Sequence, residues 1–204
     1  MLKRIFCRLV FVLCGALVWA GCAKAWQPSD FAGLELQPGR YLHNYYRSPG
    51  LDPAAAVYEV GPFAMERVAG LSQEQASRLF NEELVQAMEA NGLRVRGEKP
   101  ELIINGRVAR FAVASPFWRF FSGRGHADLR VEGEVRQGQE VVFAFQDQVS
   151  IAPPVNPRHR PALEPELIAR QAARRFAKNF LNELLLPPDS GPGENPPTIS
   201  PPAH

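Results

Sequence analysis

Between residues 127 and 136 apolar and charged side chains alternate without a break. Ala127, Leu129, Val131, Gly133 and Val135 fall on one parity, and Asp128, Arg130, Glu132, Glu134 and Arg136 on the other. A period of two sends each set to its own face, which predicts a strand with one face in a core and one in water. Gln137-Gly138-Gln139 turns it into a second strand with Val141, Phe143 and Phe145 on one face, continuing to Val149 and Ile151. Together they predict a hairpin. Apolar runs at residues 57–63, 93–95 and 102–113 predict further strands.

Two stretches carry the period of a helix. Ser72 with Gln75 makes a capping box, and Ala76, Leu79, Phe80, Leu84, Ala87 and Met88 follow on one face. Asn91-Gly92 supplies the left-handed stop. The second helix begins at Pro165, where a missing amide donor costs nothing. Ala169, Ala173, Phe176, Ala177, Phe180 and Leu184 form its apolar stripe, and Pro187-Pro188 ends it. Arg170, Arg174 and Lys178 repeat on another face, either a solvated back or a contact for anionic lipid or an acidic protein. Strand, helix, three or four strands, helix is the resulting order. It predicts an α+β fold, a two-layer sandwich in which a mostly antiparallel sheet of four to five strands carries two helices on one face.

The amino terminus follows a different pattern. Lys3, Arg4 and Arg8 precede an uncharged run over residues 9–19, then Ala20-Gly21-Cys22, which is the layout of a secretory signal peptide. The apolar run is too short to span a bilayer, which takes roughly 20 apolar residues. Two cleavage readings compete. Val18-Trp19-Ala20-Gly21-Cys22 resembles a bacterial lipobox, with Trp19 where Leu or Val is usual, and implies lipidation of Cys22. Ala23-Lys24-Ala25 instead fits ordinary cleavage and a soluble protein beginning at Trp26. The first reading divides the chain into a signal peptide (1–21), a lipidated amino terminus with an irregular tether (22–53), a globular domain (54–186) and a tail (187–204). Within the tether Tyr41, Tyr45, Tyr46 and His43 form a cluster suited to packing on the domain surface. Seven prolines in the 18 residues of the tail predict disorder.

Charge and cysteine content follow from this. The net charge is +2, and removing the three positives of the signal leaves −1, so nucleic-acid binding loses its electrostatic support. Cys7 and Cys14 lie within the signal, and lipidation of Cys22 leaves no free thiol and no disulfide. No catalytic constellation emerges. His43, His126, His159 and His204 are scattered away from metal-ligand spacing, and Gly123-Arg124-Gly125 opens no helix that would cradle phosphate. Asp128, Glu132 and Glu134 share a strand face that solvation explains. Neither a metal nor a cofactor is expected. One segment stands out: Phe117, Trp118, Arg119, Phe120 and Phe121 fall in a strand connection. Exposed, they would form a partner or membrane contact; buried, they would cap the core.

The run Leu102-Ile103-Ile104-Asn105-Gly106-Arg107-Val108, then Arg119 and Gly123-x-Gly125-x-Ala127-x-Leu129-x-Val131, resembles a family of uncharacterised Gram-negative envelope lipoproteins over about residues 55–185. Arg136-Gln137-Gly138-Gln139 replaces that family's usual Asp-x-x-Thr-Gly turn. The layout is also similar to the amino-terminal domain of the Tol-system propeller protein and to the curli-secretion lipoprotein. The resemblance implies a lipid-anchored, non-catalytic binding or assembly module of the envelope with a protein partner. Ala23 after Cys22, by its likeness to bacterial sorting rules, points to the outer membrane, facing the periplasm. The alternative is a soluble periplasmic enzyme or small-ligand carrier released after Ala25.

Overall fold

The structure is a computed structural model and describes residues 33–95, 99–114, 126–152 and 164–187. Its ten elements are β1 (Gln37–Pro38), β2 (Asn44–Arg47), β3 (Val57–Met65), β4 (Val68–Ala69), α1 (Gln73–Ala90), β5 (Arg94–Val95), β6 (Leu102–Val113), β7 (Ala127–Gln137), β8 (Glu140–Ile151) and α2 (Glu164–Leu184). The sheet runs β1-β2-β8-β7-β6-β3-β5, with β4 also on β6.

The sheet corrects the expected architecture. It holds eight strands rather than four to five, and it is mixed: β3 runs parallel to β5 and β6, and β4 parallel to β6. Four of the eight strands are two to four residues long, too short to display a period of two. The parallel pairs follow from α1, which intervenes between β3 and β5 and returns the chain in the same direction.

The long elements sit where periodicity places them. Ser72 caps α1 through the Gln75 amide at 3.1 Å, and the Gln75 side chain accepts from the Ser72 amide at 3.1 Å. In the hairpin, Gln137 pairs with Glu140 across a two-residue turn in which Gly138 takes φ +61°. A register shift beside Val135 pairs Arg136 with Val141, which takes Val141 off the face that Phe143 and Phe145 share.

Both helices pack on the same face of the sheet and on each other. Phenyl rings seam the layers: Phe63 to Phe80 at 4.9 Å, Phe80 to Phe176 at 5.3 Å and Phe145 to Phe180 at 4.9 Å. Gly106 and Gly133 face each other across β6 and β7. A Cβ at Gly106 would meet Phe63 at 2.6 Å, and one at Gly133 would meet Phe145 at 2.6 Å. Glycine there lets two aromatic rings lie directly on the sheet.

Candidate functional site

Cys22 and the segment from Phe117 to Phe121 (with Trp118, Arg119 and Phe120) lie outside the described residues, as do His159 and His204. Among the described residues no group of three or more His, Cys, Asp or Glu could hold a metal ion, and no helix is long and apolar enough to cross a membrane.

The three β7 carboxylates are engaged by cross-strand or same-strand arginines on the face away from the helices. Arg110 pairs with Asp128 at 2.9 Å and Arg136 with Glu134 at 2.5 Å, while Arg107 bridges Glu132 to Glu66. Glu132 is almost wholly buried, so this face is an ion-paired lattice rather than a row of solvated acids. The basic stripe of α2 also divides. Arg170 and Arg174 reach across to Glu83 of α1, each with a 2.8 Å hydrogen bond, whereas Lys178 stays exposed. Burial pushes the Glu83 carboxyl up, but hydrogen bonds and charge from Arg174 and Arg170 outweigh it and hold the group below its usual value.

A buried acid lies at the other end of the helical layer. β8 places Phe143, Phe145, Asp147, Val149 and Ile151 on one parity, so Asp147 takes a core-facing position in an otherwise apolar row. Its side chain is buried and accepts a hydrogen bond from Asn179 Nδ2 of α2 at 3.1 Å. The backbone N–H groups of Gln148 and His43 donate to it as well. Burial pushes this carboxyl above its usual value, and those donors, with the charge of His43, only partly hold it back.

Asp147 also marks where strand pairing stops. β2 covers only residues 143–146 of β8, and among the described residues no strand pairs with 147–151 on that side. The Ser48 amide donates to the Val142 carbonyl at 2.8 Å, so the peptide groups of even-numbered residues in β8 point to this edge. The Gln148 amide turns to Asp147, which leaves the Gln148 carbonyl and both groups of Ser150 facing outward.

Beside this edge lies a cleft of about 590 Å³, lined by residues 148–152 and by Gln171, Arg175 and Asn179 of α2. Among its described lining residues Arg175 is the only charged side chain; it is exposed and makes no ion pair with another described residue. The cleft can therefore offer backbone pairing, the amides of Gln171 and Asn179 and a cation with no counter-ion among the described residues. A second cleft of about 500 Å³ lies at β3, but its edge carries Glu59, Pro62 and a register break between Val60 and Phe63. Those features blunt an edge strand against pairing, and β1 is blunted likewise by its length and Pro38. Residues 148–151 carry none of them.

Sequence reasoning missed Asp147, Asn179 and Arg175. The available signal was Asp147 itself, the one acid in the phase of Phe143, Phe145, Val149 and Ile151. Arg175 lay hidden beside Arg174, one position off the stripe that drew attention.

No family model and no curated protein matches the chain. Solved structures do. A Xanthomonas campestris protein described by the family model DUF330 is similar at 14% identity and a TM-score of 0.45, covering 66% of this chain and 86% of its own. A minor lipoprotein from Acinetobacter baumannii is similar at 10% identity and a TM-score of 0.39, covering 64% and 92%. The PelC dodecamer from Paraburkholderia phytofirmans is similar at 12% identity and a TM-score of 0.37, covering 65% and 94%.

Proposed function

We propose that this chain is a lipid-anchored, non-catalytic binding or assembly module of the bacterial cell envelope, held at the outer membrane by Cys22 and facing the periplasm. The edge of β8 at residues 148–151, which no described strand covers, beside Arg175, which has no ion-pair partner among the described residues, is the observation that carries the binding role. The basic start, the uncharged run and Cys22 support the anchor. The engagement of Glu83, Asp128, Glu132 and Glu134 by arginines supports the non-catalytic reading, because those carboxylates already serve packing and pairing. One acyl chain holds a protein at a membrane only marginally, whereas several hold it stably.

The test is the intact mass of the protein extracted from membranes, with fractionation of a Cys22→Ser variant. A mass beginning at Cys22 plus diacylglycerol and a further acyl chain is expected, and the serine variant should leave the outer-membrane fraction while keeping its fold. An unmodified mass beginning at Trp26 would replace the anchor with a soluble periplasmic protein, and the search would turn to small ligands.

A further inference from the structure

We propose that the edge of β8 at residues 148–151 receives an extended, acidic segment of a partner protein as an added strand, with a carboxylate of that segment on Arg175. The proposal rests on the reading of the chain as a binding module and names the chemistry of its partner. Three observations converge. The Gln148 carbonyl and the two peptide groups of Ser150 face outward with no strand opposite them among the described residues. Pairing of this kind supplies affinity through the main chain and specificity through alternate side chains. Among the described residues the cleft beside the edge holds a single charge, the exposed guanidinium of Arg175, on the helix side of the sheet. A residue of the added strand opposite Val149 points to that side, so the acid belongs there.

Two other occupants fit less well. Residues 188–204 of this chain contain no run of more than three residues free of proline, too few donors to pair along 148–151. A second copy joined edge to edge about a two-fold axis would set one Arg175 against its mate.

The experiment places a photocrosslinking benzoylphenylalanine at Ser150 of the full-length protein in bacterial cells, with a control at Glu59 on the blunted β3 edge. Adducts are mapped to the residue by mass spectrometry. The expected result is an adduct from position 150, absent from position 59, that maps to an extended segment of another envelope protein containing Asp or Glu. Arg175→Glu should abolish it, and Lys178→Glu, an equal charge change on the same helix outside the cleft, should leave it. A synthetic peptide of the mapped segment should bind about tenfold more weakly when its acid is replaced by the amide, the worth of one charge-assisted hydrogen bond. No adduct at 150, an adduct confined to residues 188–204, to a second copy or to lipid, or an adduct indifferent to Arg175→Glu would overturn the proposal. The lipid-adduct mass reads the anchor separately, so a failed edge and a failed anchor give different results.

Discussion

At the scale of single residues the buried polar side chains Glu83, Glu132, Gln146, Asp147 and Glu183 each hold at least one hydrogen-bond partner, although Gln146 Nε2 has none among the described residues. Tyr58 is fully buried, and its hydroxyl donates to the Pro53 carbonyl at 2.8 Å. Burial, against the charge of Arg47 and with a smaller push from Asp52, raises that phenol well above its ordinary value, so it stays protonated and keeps the bond. Asp147 is the costlier case, because its pKa is raised from 3.8 by burial despite the donors around it. Between the unfolded and the folded values the folded protein holds a proton that the unfolded chain has released. Stability therefore falls as pH rises through that window, and the whole penalty is present above it. Asp147→Asn removes the titration. Relative to wild type, the variant should gain stability as pH rises from about 4, whatever its offset from lost hydrogen bonds. Thermal unfolding of both proteins across that range checks it, and parallel curves would contradict the burial argument.

At the scale of elements the two helices are joined by aromatic contact below and by charge above. Glu83 is buried, while Arg170 and Arg174 keep much of their contact with water, so the arginines can return to solvent if the acid is removed. Glu83→Gln should therefore cost only about 1–2 kcal/mol near pH 7, less than a fully buried pair would lose. Its carboxyl is held below the ordinary 4.5, so this contribution is present above the unfolded value and lost as pH falls through the folded one. Urea titrations should show the gap between variant and wild type narrowing as pH falls below the ordinary 4.5. These elements also show what a sequence reveals. α1, β6, β7 and most of β8 declare themselves, because each is long enough to repeat its period several times and each punctuation residue has one physical use. β1 and β4 do not, because a two-residue strand is defined by its neighbour, although the apolar run at 93–95 does mark β5. The pairing of Arg170 and Arg174 was equally hidden, since their partner lies 87 and 91 residues away.

At the scale of the whole molecule, the segment before β3 is the clearest case of structure without local signal. Residues 37–47 hold three tyrosines with one proline and one glycine, and their apolar content shows no period. What holds them is tertiary. Glu183, buried near the end of α2, accepts from the amides of Tyr41 at 2.6 Å and Leu42 at 3.0 Å. Arg47 returns the contact by donating to the carbonyls of Leu184 at 3.2 Å and Leu186, which the helix end leaves without internal partners. β2 then adds to β8, with Tyr45 on Phe143 at 6.0 Å. A carboxylate that meets two amides and a guanidinium that meets two carbonyls form a clamp between the start of the described chain and its end. Truncation tests this clamp, with a chain starting at residue 33 as the reference. A chain starting at Ala54 leaves the buried Glu183 without its amides and strips the outer strands from β8. Loss of the partners of a buried charge costs about 3–5 kcal/mol, so the shorter chain should lose at least that much. Equal stability of the chains starting at residue 33 and at Ala54 would mean that the clamp contributes nothing and that the fold begins at β3.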